Sequence, residues 1–414
     1  MTNVFTLVFL VALAAATGTR LWLAARQVRH VRANRGAVPA GFADAIPLVS
    51  HQKAADYTVA KTRLGMVDAA LDAAILLALT LGGALQRLAG EWARMLPPQS
   101  LWHGAALVLS VLALRGLLEL PLGAWRVFGI EQRFGFNRMT VALFLADLAK
   151  QALVGLALGA PLLVAVLWLM RGAGELWWLY AWALVVAYSV FLQMIYPAVV
   201  MPLFNKFSPL RDPALAGRVE ALLARCGFRS RGLYVMDGSK RSAHGNAFFT
   251  GFGASKRIVL FDTLLARLQP AEIEAVLAHE LGHYKLHHVA KGMALSWAVS
   301  LALLAALGWL AGEAWFYQGL GVHTASLGAA LLLFLLVVPE FTFFLQPALS
   351  LLSRRHEYEA DRYATRHSAA RELVQALVKL YKDNASTLTP DPLHSGFYDS
   401  HPPAAARIAR LRAA

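Results

Sequence analysis

The sequence predicts an α-helical membrane protein, with seven spanning helices that carry a soluble α+β part built around a metal-binding helix. Three observations predict it. Hydrophobic residues make up 58% of the 414 and mean hydropathy is +0.51, unlike an ordinary water-soluble chain. Separate apolar runs are each long enough for a hydrocarbon core of about 30 Å. Between the fifth and sixth runs the period becomes strand-like, just ahead of His279-Glu280-Leu281-Gly282-His283.

The first run covers residues 4–25. Ala12 to Ala16 resembles a leader cleavage region, but Met1 to Val4 offers no basic side chain before the run, so it reads as an uncleaved helix. Arg26, Arg29, Arg32 and Arg35 follow, which places that end in the cytoplasm and the N-terminus outside. Runs at 64–88, 101–122, 142–170, 175–200, 289–312 and 325–352 complete seven crossings. The expected organisation is five membrane helices with their loops in 1–200, a soluble part in 201–288, two membrane helices in 289–352 and a helical C-terminal part in 353–414.

Segments 26–63, 123–141, 201–288 and 353–414 then share the cytoplasmic side, where most Lys and Arg lie. The net charge of +14, from 39 basic and 25 acidic residues, is therefore a topology signal whose partner is the bilayer, and no nucleic-acid partner is expected. The single Cys226 excludes an intramolecular disulfide framework and a cysteine-rich metal site. Asp68, Asp72, Asp147, Lys150 and Glu340 fall inside spans, where such groups face protein or a water-filled space. Pairing within the bundle and a wet interior both account for them.

After the fifth span, Pro197 and Pro202 should end or kink the helix near the membrane surface, and residues 213–226 read as an amphipathic helix. Leu233–Met236, Ala247–Thr250 and Arg257–Phe261 read as short strands. An exposed edge strand among them can hold an extended peptide over the metal. Asn246 is either a contact to that peptide's backbone or a turn asparagine.

Pro270 suits a first helical turn, and Ile273, Val276, Leu277 and Leu281 supply the apolar stripe of the helix that follows. Two histidines four apart share one face, so His279 and His283 can reach one ion, and Zn2+ suits neutral imidazole while leaving a position open. Glu280 leans over the same site as a general base. A third donor is expected in Glu357-Tyr358-Glu359-Ala360-Asp361, where Glu357 and Asp361 share a face and one can orient a ligating histidine while the other binds. Spacing alone does not choose Glu357 over Glu359, and Glu359 and Arg362 read as surface residues. His401, in Ser400-His401-Pro402-Pro403, and Arg407 offer an imidazole and a cation for an oxyanion.

Together these stretches resemble the type I CAAX prenyl proteases, integral-membrane zinc metallopeptidases of the gluzincin class. The resemblance runs over nearly the whole chain: Glu131–Asn137, Pro202–Phe207, Met236–His244, Asn246–Phe252, the zinc helix, Glu357–Asp361 and Ser400–Pro403. It implies seven helices around a water-filled chamber capped by a cytosolic protease domain, with one zinc held by His279, His283 and Glu357, and Asp361 behind them. It also implies Glu280, His401 and Arg407 in catalysis, and Asn246, Ala247 and Phe248 against the substrate. The expected substrate is a peptide or protein, prenylated in the family's case, cut after the modified cysteine. The alanine-rich, arginine-rich character points to a bacterial inner membrane. Two other readings share the sequence: quality-control cleavage of membrane proteins by the same site, and a transport or lipid-handling chamber with structural zinc.

Overall fold

The structure, a computed structural model, describes residues 3–413 apart from Arg229, Arg231 and 251–256. The first five membrane segments are built from α1 (Val4–Ala33), α2 (Leu48–Leu79) with α3 (Ala84–Ala93), α4 (Leu101–Ala124), α5 (Val141–Gly172) and α6 (Trp177–Ile195). Six stretches are long and apolar enough to cross a membrane, and the α2–α3 pair, bent by 51°, makes a seventh when counted as one broken span. The second run was expected as one helix over 64–88, and there the structure differs. It breaks at Thr80 to Gly83, where Gly83 takes φ +71°, a left-handed value that glycine adopts without a Cβ clash.

Helices also outrun their apolar stretches. The α4 rod continues as a π-helical turn to Glu131, and after α6 a second π-helical turn at Tyr196–Val200 carries Pro197 into short α7 (Met201–Phe204). Both prolines thus act where the helix leaves its apolar run. The spans share one core, with Phe9, Leu79, Leu107, Leu167, Leu307 and Leu333 buried together, but two of them stay largely open. Only 6% of the apolar window is buried in the α6 rod and in α11 (His288–Leu310), and the ion pair between Asp72 and Arg115 keeps side-chain exposures of 48% and 39% inside the spans. Arg20–Glu340, Arg115–Asp72 and Arg126–Asp68 pair at 2.7–2.9 Å, so each of these three carboxylates meets an arginine from another helix.

The soluble part starts with β1 (Phe207–Pro209), a strand the sequence did not signal, and α8 (Pro213–Arg225). Then come β2 (Leu233–Met236), β3 (Ala247–Thr250), β4 (Arg257–Phe261), short α9 (Asp262–Leu265) and α10 (Pro270–Lys285). The sheet order is β1-β2-β4-β3, with β2 and β4 parallel and the outer strands antiparallel. β3 is therefore an edge strand, paired only with β4 among the described residues. The loop 131–137 is not free. Its Phe136 carbonyl accepts the Ala243 N–H at 3.1 Å and its ring stacks on His244 at 4.5 Å, which steadies the approach to β3.

After α11, α12 (Ala314–Gly319) leads to α13 (Leu327–Thr342), which a 3-10 turn joins to α14 (Gln346–His367) as a 41-residue rod running from the membrane into the soluble part. Gly104 and Gly328 let α4 and α13 approach so closely that a Cβ on Gly328 would stand 2.4 Å from the Gly104 Cα. The chain ends with α15 (Ala370–Asp383), α16 (Pro392–Tyr398) and α17 (Ala404–Arg412). α15 buries Leu373 and Leu377 in the same core as Leu277 and Leu281 of α10, worth about 1.5–3 kcal/mol per leucine.

Candidate active site

The local sequence fixes α10 firmly. Pro270 opens it, the Gln269 N–H donates to the Glu272 carboxylate at 2.7 Å, and Glu272 is in turn bridged by Lys379 of α15. Glu274 receives Arg218 and Arg225 from α8. Glu272 and Glu274 thus clamp the start of the helix between its neighbours.

One turn apart on this anchored helix, His279 and His283 place their Nε2 atoms 3.2 Å from each other. Glu357 arrives from α14, with Oε2 at 3.5 Å from His279 Nε2 and Oε1 at 3.2 Å from His283 Nε2. The three residues each offer one donor atom within 4.8 Å of the others. Glu357 is 4% exposed, and its Oε2 is buried without a hydrogen-bond partner. A buried carboxylate oxygen in that state is costly unless a cation completes it, so the donor set fits a metal ion.

Behind these donor atoms, each of the two histidines has its own support. His279 Nδ1 lies 2.9 Å from Asp361 Oδ1, and Arg407 grips the same carboxylate with Nε and Nη2, both at 2.7 Å. Burial disfavours the charged imidazole of His279, yet Asp361 and Glu357 outweigh it and hold its pKa above the ordinary histidine value. Burial likewise works against the Arg407 guanidinium, and Asp361 more than compensates, raising its pKa.

For His283 the partner is another histidine. His288 Nδ1 lies 3.0 Å from His283 Nδ1, and His288 Nε2 lies 3.0 Å from Glu359 Oε2. His356 stacks flat on His288 with centroids 4.1 Å apart. One tautomer pattern satisfies the chain: His283 donates from Nδ1, His288 accepts there and donates from Nε2 to Glu359, and His283 Nε2 is left with its lone pair toward the metal position. Glu359, expected as a surface residue, is instead the end of this relay. Its signal was the alternation Glu357, Glu359, Asp361, legible only once His288 is known to fold back over α10.

The remaining site residues gather around the same point. Glu280 lines two adjoining cavities, and no described side chain bonds it. His401 Nε2 lies 3.4 Å from Glu357 Oε1, with its ring 61% exposed and Nδ1 against the Ser400 hydroxyl at 3.0 Å. Arg407 Nη1 is 3.5 Å from Glu357 Oε2. Asn246 and Ala247 border the small cavity that holds His279 and Glu280, while Phe248 lies in the larger one. Gly251 and Phe252 of the Asn246–Phe252 stretch lie outside the described residues.

Comparison with known proteins places this geometry. Residues 27–206 match the model for the CAAX prenyl protease N-terminal region with five membrane helices, and residues 209–414 match peptidase family M48. The chain belongs to the CAAX prenyl proteases of peptidase family M48. It is 34% identical over 318 residues to the Arabidopsis thaliana CAAX prenyl protease 1 homolog, covering 77% of this chain and 74% of that protein. To CAAX prenyl protease 1 of Saccharomyces cerevisiae it is 36% identical over 317 residues, covering 72% and 70% of the two chains. The Homo sapiens homolog is 31% identical over 370 residues, covering 79% and 78%. The crystal structure of S. mikatae Ste24p superposes with a TM-score of 0.91 at 29% identity, over 98% of this chain and 99% of that one. As an M48 member the chain is a multi-span membrane metallopeptidase with a metal cofactor.

Proposed function

We propose that this metallopeptidase uses zinc to cut prenylated CaaX-type peptides near their C-terminus at the cytoplasmic face of the membrane. The observation that carries the reading is the convergence of His279, His283 and Glu357, with Glu280 beside them on the same helix. Two imidazoles and one carboxylate, with one position left open, are the donor set of a catalytic zinc site. A lipidated substrate is supported by a cavity of about 820 Å³ between α5, α6 and α11, lined mostly by apolar side chains such as Val154, Leu158 and Leu192 and ending at Glu280 and His283. The cytoplasmic side is supported by Arg26, Arg29, Arg32 and Arg35 at the end of α1, where the soluble part also docks. In a bacterial host that membrane is the inner membrane, with the N-terminus outside.

A zinc ion at this point supplies Lewis-acid polarisation of the scissile carbonyl and the attacking water. The chain's own residues do the rest. β3 pairs with the extended substrate backbone, and Asn246 fixes its register beside the strand. Glu280 accepts the proton of the attacking water and returns it to the leaving amine. His401 and the Nη1 of Arg407, both facing Glu357, donate to the oxygen on which negative charge develops. Asp361 and the His288–Glu359 pair hold the imidazoles in the tautomer that presents Nε2. Metal analysis alongside an assay on a farnesylated CaaX peptide tests the reading. One bound zinc and cleavage after the modified cysteine are expected, and a zinc-loaded protein that leaves the peptide intact rejects it.

A further inference from the structure

Three cavities share walls in a fixed order. The apolar one shares Glu280 with a small cavity of about 110 Å³, whose walls include Leu264, Val276 and Leu377. That small cavity shares Asn246, Leu380 and His401 with a polar one of about 640 Å³. β3 runs alongside all three, with Asn246 at the polar end and Phe248 and Phe249 at the apolar end. A peptide added antiparallel to β3 therefore runs from the apolar cavity, past Glu280, to the polar one. The reverse direction would leave a terminal carboxylate among apolar side chains, where its desolvation is uncompensated.

The polar cavity contains one lysine. Lys61 of α2 is exposed on its wall, its Nζ 4.8 Å from the Tyr57 ring centroid, and no described carboxylate forms an ion pair with it. The nearby Glu131 is already engaged by the Tyr57 hydroxyl at 2.6 Å. Asp399 and His401 are the other charged or titratable groups of that wall besides its tyrosines, so the cavity has no strong net charge and recognition falls to a single ammonium. A CaaX chain has three residues beyond its cysteine, which reach about 10 Å when extended. In the direction set by β3, that reach carries the chain end toward this cavity.

We propose that Lys61 binds the α-carboxylate of the substrate, so that the protease measures its cut from the chain end. The inference rests on the CaaX reading above. A charge-assisted hydrogen bond of this kind corresponds to a change of about tenfold or more in kcat/KM. The test is cleavage of one farnesylated CaaX peptide, as free acid and as C-terminal amide, by zinc-loaded wild type, Lys61→Met and Lys61→Arg. Wild type should prefer the acid about tenfold, mostly through KM. Lys61→Met should bring the acid-to-amide ratio near one, and Lys61→Arg should keep most of it. Equal cleavage of acid and amide by wild type overturns the proposal without touching the CaaX reading, as does an acid preference that survives in Lys61→Met. If wild type cuts neither peptide, the CaaX reading falls and this inference with it.

Discussion

At the scale of single residues, three acids on α14 stand two apart and do three different things. Glu357 faces the metal position, Glu359 ends the His288 relay, and Asp361 carries the His279 contact with Arg407. Glu359→Gln removes the charge that fixes the His283 tautomer, so metal affinity should fall about 10–100-fold in chelator competition. The exposed Arg362→Gln on the same helix should leave affinity as it is. Glu280→Gln should keep the metal and lower peptide cleavage by about 10²–10⁴. Full turnover by that variant would remove Glu280 from the chemistry. Arg407, 5% exposed, neutralises an Asp361 that is 4% exposed, and Arg407→Met strands the carboxylate at a cost of about 3–5 kcal/mol, read as a lower thermal midpoint.

At the scale of elements, α10 and α14 must lie nearly in contact for one ion to be shared. Gly282, inside the motif itself, makes that possible: a Cβ there would stand 2.9 Å from the Ala360 Cα and 3.1 Å from the Ala360 carbonyl oxygen. Gly282→Ala should push α14 and its Glu357 outward, weakening metal binding while every donor remains in the chain. Unaltered affinity in that variant would show that the rods can re-pack. The motif helix, the three predicted strands and all seven apolar runs could be read from the sequence, because period and motif spacing are local properties. The break at Thr80 to Gly83, strand β1 and the role of Glu359 could not. The last two depend on a neighbour distant in sequence, β2 beside β1 and His288 beside Glu359, and the break turns on the left-handed φ of Gly83, which apolar periodicity does not register. For the same reason the choice between Glu357 and Glu359 could not be made from helical spacing.

At the scale of the whole molecule, the first and last parts of the chain are joined. Arg26, at the end of α1, donates to both oxygens of Asp391, and Gln27 accepts the Asp391 N–H at 2.7 Å. Burial opposes ionisation of Asp391, but the His394 N–H and Arg26 prevail and hold its pKa below the usual carboxylate range. The stability this ion pair contributes is therefore present above the unfolded-state value of about 3.9 and lost as pH falls through the depressed folded value. Asp391→Asn keeps the acceptor that caps α16, so it isolates the charge. Its thermal midpoint should lie below wild type at pH 7, with the gap closing as the pH drops toward 3; a gap independent of pH would contradict the assignment.

The order of the donors along the chain has a consequence for synthesis. His279 and His283 leave the ribosome before α11 and α13, and Glu357 only after both. A nascent chain halted anywhere before α14 has two imidazoles and no third donor, and it cannot keep a hydrolytic metal in place. Insertion of the last apolar run thus precedes completion of the proposed donor set, which protects the proteins being inserted beside it.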